Sequence, residues 1–253
     1  MSETEVEEDV LEQPARGGVA KFAIGLLLLI GVVAGWWFYA AGQQTKVELD
    51  IHKKLNEFGA EKGEVVSQLD VGRKFVSTLM VRTKIEEVMP MVSQLRSLNS
   101  LDVAQTAFGD QHVDAVKNNG KLLTLVLSDT QVTDTGVAEL SSMSLKDFYV
   151  ARTNITGNAF DSIARMPALE IVDISGTSTA NAFSKLKDAK SLVWIRMEDV
   201  DVSSVESEVL ETLLGLPELG RLTFNDATGL TKMSLDKLKA ERPKMMLEKV
   251  GGE

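Results

Sequence analysis

The chain of 253 residues contains no cysteine, two histidines, two tyrosines, three tryptophans and five prolines. Without cysteine there is no disulfide, no thiol nucleophile and no thiolate-held zinc, and the sequence carries no mark of the redox state of its compartment. The histidines, His52 and His112, fall in separate segments. They are not expected to share a metal, and each reads as a surface or half-buried structural residue. The nucleophile elbow G-x-S-x-G, the zinc helix H-E-x-x-H, the Walker loop and the dinucleotide fingerprint G-x-G-x-x-G are all missing. No pair stands out among the 37 Asp and Glu residues. No enzymatic activity, cofactor or metal is therefore expected. Basic residues are also outnumbered, 27 to 37, for a net charge of −10. An acidic chain without a basic stripe argues against a nucleic-acid partner.

The one long apolar run is residues 22–42, which carry no charge. About 20 apolar residues at 1.5 Å each span a hydrocarbon core of ~30 Å, so the run reads as a transmembrane helix contacting the lipid bilayer. Trp36, Trp37 and Tyr39 cluster at one end and Lys21 marks the other, as interfacial anchors do. The competing reading is a cleaved signal peptide, with Ala40-Ala41-Gly42 as a loose small-residue cleavage site. The run is long for that and ends in bulky aromatics, which favours an uncleaved anchor. Orientation is weakly determined. Arg16 and Lys21 precede the run, and Lys46, Lys53, Lys54 and Lys62 follow it. Counted literally, this puts the remainder in the cytoplasm. A large following domain translocates regardless of charge, and the reading leans slightly to the non-cytoplasmic side. Gly31 and Gly35 form a G-x-x-x-G pair through which two helices could pack as a homodimer. The acids of residues 1–21 read as a disordered, solvated tail.

The rest of the chain repeats. The clearest unit runs Leu122-x-x-Leu125-x-Leu127-x-x-Thr130-x-Val132-Thr133-Asp134-x-Gly136-Val137-x-x-Leu140-x-x-Met143. The next begins at Leu145, with Phe148, Val150, Thr153, Ile155 and Thr156 in matching places. Others begin at Leu98, Leu169, Leu192 and Leu219, and a weaker one at Phe75, with Met80, Thr83 and Ile85. Successive starts differ by 23, 24, 23, 24, 23 and 27 residues. Each unit should open with a short strand whose alternate residues, such as Leu125 and Leu127, turn inward. A turn and a helical stretch follow, with Thr133 and Asp134 as good N-cap residues. A doubly wound α/β domain also alternates strand and helix, but β-α-β units need roughly 30 or more residues. At the ends, Val47, Ile51, Leu55 and Phe58 mark an amphipathic helix covering the first repeat. Leu235 and Leu238 lie in a helix stopped near Pro243, and Met245, Met246, Leu247 and Val250 could supply a last strand. Asn154-Ile155-Thr156 matches a glycosylation sequon, although Thr156 is more simply a helix cap.

Over roughly residues 75–247 these units resemble leucine-rich repeat proteins. The form is a bacterial-type, Cys-free relative of the cysteine-containing or F-box-associated repeat class, although no F-box precedes the repeats. The resemblance implies an α/β fold: a right-handed solenoid with parallel strands on the concave side and helices on the convex side, preceded here by one transmembrane helix. It also implies protein or ligand binding rather than catalysis. The expected organisation is an acidic tail (1–21), a transmembrane helix (22–42), a linker and N-terminal capping helix (43–74), and a repeat domain of about seven units (75–253).

A protein partner would meet the outward strand positions, which include Asp147 and Tyr149, Ile171 and Asp173, Trp194 and Arg196, and Arg221 and Thr223. Tyr, Trp and Arg are enriched in binding hot spots. The candidate binding residues are Tyr149, Asp173, Trp194, Arg196 and Arg221. Trp194 is expected to be exposed by its phase, or else folded structurally onto the solenoid edge. Arg196 and Asp173 are expected to form an exposed cross-strand ion pair worth well under ~1 kcal/mol. The alternative function is a self-associating scaffold of a membrane or envelope assembly.

Overall fold

The computed structural model describes residues 16–60, 65–70 and 75–251, without side chains for 16–31, 60, 65, 66, 68–70 and 75. The chain divides into two compact units, 1–46 and 47–253. Helix α1 (Arg16–Ala60) takes in positions 16–21 and 43–60, expected as tail, linker and separate capping helix. In the first unit Trp36, Trp37, Phe38 and Tyr39 are 71%, 63%, 69% and 67% exposed. Among the described residues no helix is long and apolar enough to cross a membrane. The expected transmembrane run lies partly outside them, since the side chains of 22–31 are not described.

Among the described residues the second unit holds one sheet of nine strands in chain order. They are β1 (Val65–Asp70), β2 (Phe75–Val81), β3 (Ser100–Asp102), β4 (Thr124–Val126), β5 (Asp147–Tyr149), β6 (Ile171–Asp173), β7 (Trp194–Arg196), β8 (Arg221–Phe224) and β9 (Met246–Lys249). From β2 onward every pair is parallel. Unbroken neighbour-to-neighbour order excludes a doubly wound sheet. The pairing aligns Leu79, Leu101, Leu125, Phe148, Val172, Ile195, Leu222 and Leu247 in one inward row. All but Leu247 are fully buried. A second buried row, Val103, Leu127, Val150, Ile174 and Met197, continues the ladder beyond the strands. Its amides donate to Val126, Tyr149, Asp173, Arg196 and Thr223 carbonyls at 2.8–3.0 Å.

The turn that follows explains the recurring threonine. Gln105, Asp129, Arg152, Gly176 and Asp199 adopt φ of 60°, 57°, 52°, 65° and 56°, a left-handed conformation that reverses the chain. After four of these five residues comes a threonine, Thr106, Thr130, Thr153 or Thr177. Each hydroxyl donates to the carbonyl three residues back, at 2.6, 2.6, 2.7 and 2.5 Å. Only Gly176 avoids the strain of the left-handed region, and there a side chain would also meet Arg152 Cγ at 2.7 Å.

Helical segments then return the chain. They are 3-10 turns, as at Asp110–Ala115, and short helices: α2 (Ile85–Val92), α3 (Asp134–Leu140), α4 (Phe160–Ile163), α5 (Glu206–Gly215) and α6 (Lys232–Glu241). Thr133 and Thr156 cap their segments as expected, accepting from Thr135 N and Asn158 N. Each is also clasped by an aspartate one repeat earlier. Asp110 accepts from Thr133 N and Oγ1 at 2.9 and 2.6 Å, and Asp134 does the same for Thr156 at 2.7 and 2.6 Å. The core between the two layers includes Phe108, Phe148, Phe160 and Phe183, all fully buried. Strands spaced about 4.8 Å apart are narrower than packed helices at 8–10 Å, which puts the sheet on the inside of the curve.

Three details differ from expectation. The first unit starts at Val76, not Phe75: Val76, Leu79 and Val81 are buried and Met80 faces outward. Strand β1, expected as linker, pairs antiparallel with β2. In the capping segment Ile51 and Leu55 are buried, but Val47 is exposed and Glu48 is buried in its place. Its carboxyl accepts from Val76 N at 3.3 Å and Arg96 N at 3.1 Å. At the far end α6 stops before Pro243, and β9 forms the expected last strand.

Candidate functional site

Two outward rows line the sheet face. One is Thr78, Ser100, Thr124, Asp147, Ile171, Trp194, Arg221 and Met246; the other is Met80, Asp102, Val126, Tyr149, Asp173, Arg196, Thr223 and Glu248. In the first half the side chains are mostly small, and the one prominent charge pair cancels itself: Arg82 grips Asp102 through two bonds of 2.8 and 2.5 Å. Bulk and charge gather from β5 onward. The sheet brings all five predicted residues, Tyr149, Asp173, Trp194, Arg196 and Arg221, onto this half of one face.

Two expectations need correction. Trp194 is half-buried. Its indole N–H donates to Thr223 Oγ1 at 2.9 Å, and the Arg221 guanidinium stacks 4.1 Å from its ring centre. The ring is thus held in place with part of its surface open. The Arg196–Asp173 pair is not exposed. Asp173 is buried and receives Ser175 N at 3.0 Å, while Arg196 lies 3.6 Å from it and bonds Glu198 more closely, at 2.8 Å. Burial works against the charged form of Arg196, but the Glu198 hydrogen bond and the Asp173 charge hold its pKa above the ordinary value. Burial, then Asp147, pushes the Tyr149 phenol up, so it stays protonated at neutral pH.

Glu198 and Glu248 were missed. Glu248 sits in the atypical last strand, where repeat phase is hard to read. It accepts from Thr223 Oγ1 at 2.8 Å and from Arg221 Nε and Nη2 at 3.1 and 2.7 Å. The Thr223 hydroxyl first, then Arg221, hold its carboxyl below the usual range. Glu198 lies two residues beyond Arg196 on the same face, one step past the strand.

The two histidines have separate hydrogen-bond partners. His112, 5% exposed, accepts from Gly109 N at 3.0 Å through Nδ1, so its Nε2 carries the proton and donates to Glu86 at 3.0 Å. His52 joins Ser67 and Asn56 in a closed triangle with sides of 2.8, 3.1 and 3.2 Å. There the Ser67 hydroxyl donates to Asn56 rather than to the imidazole, which fits a tie between α1 and β1. Among the described residues no group of three or more His, Asp or Glu is placed to hold a metal ion.

The strand order and the 23–24-residue unit define the fold as a solenoid of leucine-rich-repeat type. No family model matches the chain. No curated protein matches it either. Among solved structures it is similar to an internalin from Listeria monocytogenes, with 20% identity and a TM-score of 0.43 over 64% of this chain. The chain spans 57% of that structure, and a likeness at this level adds nothing to the reading of the site.

Proposed function

We propose that this chain is a membrane-tethered leucine-rich repeat protein that binds another protein through the second half of its sheet face, and that it acts by binding rather than catalysis. The observation that carries the reading is the gathering of Tyr149, Ile171, Trp194, Arg196 and Arg221 on four adjacent strands. Hydrogen bonds and stacking hold Trp194, Arg196 and Arg221 in place, which lowers the entropic cost of docking. The repeat form belongs with the Cys-free relatives of the cysteine-containing class, on the strength of the Thr-x-Val-Thr-Asp-x-Gly stretch at 130–136. The tether is supported by the uncharged run 22–42 and by four consecutive exposed aromatics, Trp36 to Tyr39. At 100° per residue these ring the helix, which suits a headgroup region better than a one-sided protein contact. The repeats are assigned to the non-cytoplasmic side.

The test is a pull-down from native membranes with wild type and with a Trp194→Ala/Arg196→Ala variant shown by circular dichroism to be folded. A partner held by wild type and lost by the variant supports the site; equal recovery removes it. Protease accessibility in sealed vesicles decides the side.

A second reading is a self-associating scaffold, with Gly31 and Gly35 as the helix contact. It is favoured by the last strand: β9 ends the sheet with Met246 and Val250 exposed at 58% and 39%, an edge open to pairing. Gly35 has open space around its Cβ position. Recovery of only the chain itself in the pull-down would favour this reading.

A further inference from the structure

The chemistry of the partner follows from which charges on this face are already answered. From β5 to β9 the outward rows and the residue just beyond them carry four acids, Asp147, Asp173, Glu198 and Glu248, against two bases, Arg196 and Arg221. Arg221 is committed to Glu248 and Arg196 to Glu198, at 2.7 and 2.8 Å. That leaves Asp147 without an ion pair among the described residues, and Asp173 with only the longer contact to Arg196, at 3.6 Å. They lie on adjacent strands, Asp147 paired with Ile171 and Asp173 paired with Tyr149. The notch between these diagonal neighbours, one strand and two residues apart, is roughly 7–8 Å across, with Asp147 half-buried and Asp173 buried. Asp147 takes one hydrogen bond, from Thr124 Oγ1 at 2.8 Å on Oδ2. Asp173 uses Oδ1 for Ser175 N, and Arg196 reaches its Oδ2 only at 3.6 Å. The Tyr149 hydroxyl makes no hydrogen bond among the described residues. Around the notch stand half-exposed Ile171, Tyr149 and Trp194.

We propose that the partner is a protein segment presenting a lysine or arginine, flanked by apolar side chains, to the notch between Asp147 and Asp173. This rests on the sheet face being the binding surface. The cation meets the Asp147 carboxylate, with the buried Asp173 adding to the negative field, while its stem lies along Tyr149 and Ile171 and a neighbouring apolar residue covers the open part of Trp194. Arg196 and Arg221 then serve to hold Trp194 and the acids in place rather than to meet the partner. An acidic partner would have to break the Arg221–Glu248 and Arg196–Glu198 pairs before either arginine could receive it.

Selection of displayed random peptides on the full-length protein in detergent micelles tests this, with parallel selections on Trp194→Ala, Asp147→Asn and Asp147→Lys. Asparagine keeps an acceptor for Thr124, so the fold has no reason to change. The expected result is enrichment of peptides with Lys or Arg beside apolar residues. Their affinity should fall about tenfold or more on Asp147→Lys, less on Asp147→Asn, and weaken with added salt. Enriched peptides that depend on Trp194 but are neutral or acidic would overturn the charge assignment and leave the binding face standing. Enrichment that ignores Trp194, or none at all, would overturn both.

Discussion

The two ends of the repeat stack are closed by opposite chemistry. At the N-terminal end a buried acid, Glu48, accepts from two backbone amides, Val76 N and Arg96 N. At the C-terminal end a base, Arg242, donates to four backbone carbonyls, Leu214 O at 3.2 Å, Leu216 O at 2.7 Å, Pro217 O at 3.2 Å and Leu219 O at 2.7 Å. Within the stack such groups find partners in the next repeat; at an end there is none, and a buried unpaired backbone group is costly. The N-terminal end is also covered by α1 residues Ile51 and Leu55 and by the β1–β2 hairpin. The C-terminal end has only α6 and the four-residue β9, with Met233 and Met246 left 78% and 58% exposed. The second end leaves more apolar surface open than the first, so fraying should begin there.

Four changes break or sharpen that contrast. The largest effect belongs to neither end: Phe148→Ala, in the centre of the inward row, should cost about 3–5 kcal/mol in urea unfolding. If it costs less than the end variants, the stack is not a continuous core. Arg242→Ala should cost about 2–4 kcal/mol, because four carbonyls lose a charged donor. Hydrogen exchange should show the loss concentrated in β8 and β9, with β3 and β4 unchanged; uniform loss of protection would refute fraying from this end. Glu48→Gln should cost about 1–2 kcal/mol, since the amide oxygen can still accept one of the two N–H groups. Glu48→Ala should cost more, and equal losses would show that the hydrogen bonds contribute nothing.

The smallest effect is a pH response. Glu248 has its folded pKa depressed by Thr223 and Arg221. Its contribution is fully present above the ordinary carboxylate range and is lost as pH falls through the lower folded value. Because Arg221 stacks on Trp194, Trp194 emission in a Trp36→Phe/Trp37→Phe background should shift as the pH falls below the ordinary carboxylate range. Glu248→Gln should already show the shifted emission at neutral pH. A shift of the same size in both proteins would detach Trp194 from Glu248.

The sheet face repeats the lesson of the ends. The inward row is nearly uniform, and its 23–24-residue period was legible because every unit meets the same demand, an apolar residue against the same residue of its neighbour. The threonine after the turn was legible too, since its hydroxyl bond closes within the unit. The left-handed residue before it was not: Gln105, Asp129, Arg152, Gly176 and Asp199 share a backbone conformation but no side-chain type. The first unit was misread by one residue because Phe75-Val76 and Leu79-Met80-Val81 offer apolar residues in both phases. A one-residue slip exchanges the two faces of a strand, and pairing with β3 chose between them. Of the site, the strip of five residues followed from phase alone. Their partners did not, because Glu198 and Glu248 lie beyond the clear repeat pattern.

What the amino-acid order settles without help is whatever closes over a few residues or recurs at a fixed interval: the strand-turn-helix unit, its inward row, its threonine and its caps. What only the folded stack decides is which distant groups become neighbours. Trp194 rests on Arg221, 27 residues on, and Arg221 on Glu248, 27 further. Glu48 reaches Val76 and Arg96, and Arg242 reaches back to Leu214. These pairings depend on the offset between repeats in space, which no local preference encodes. They are also the features that set the ends of the stack and the second half of its sheet face apart from the regular units between them.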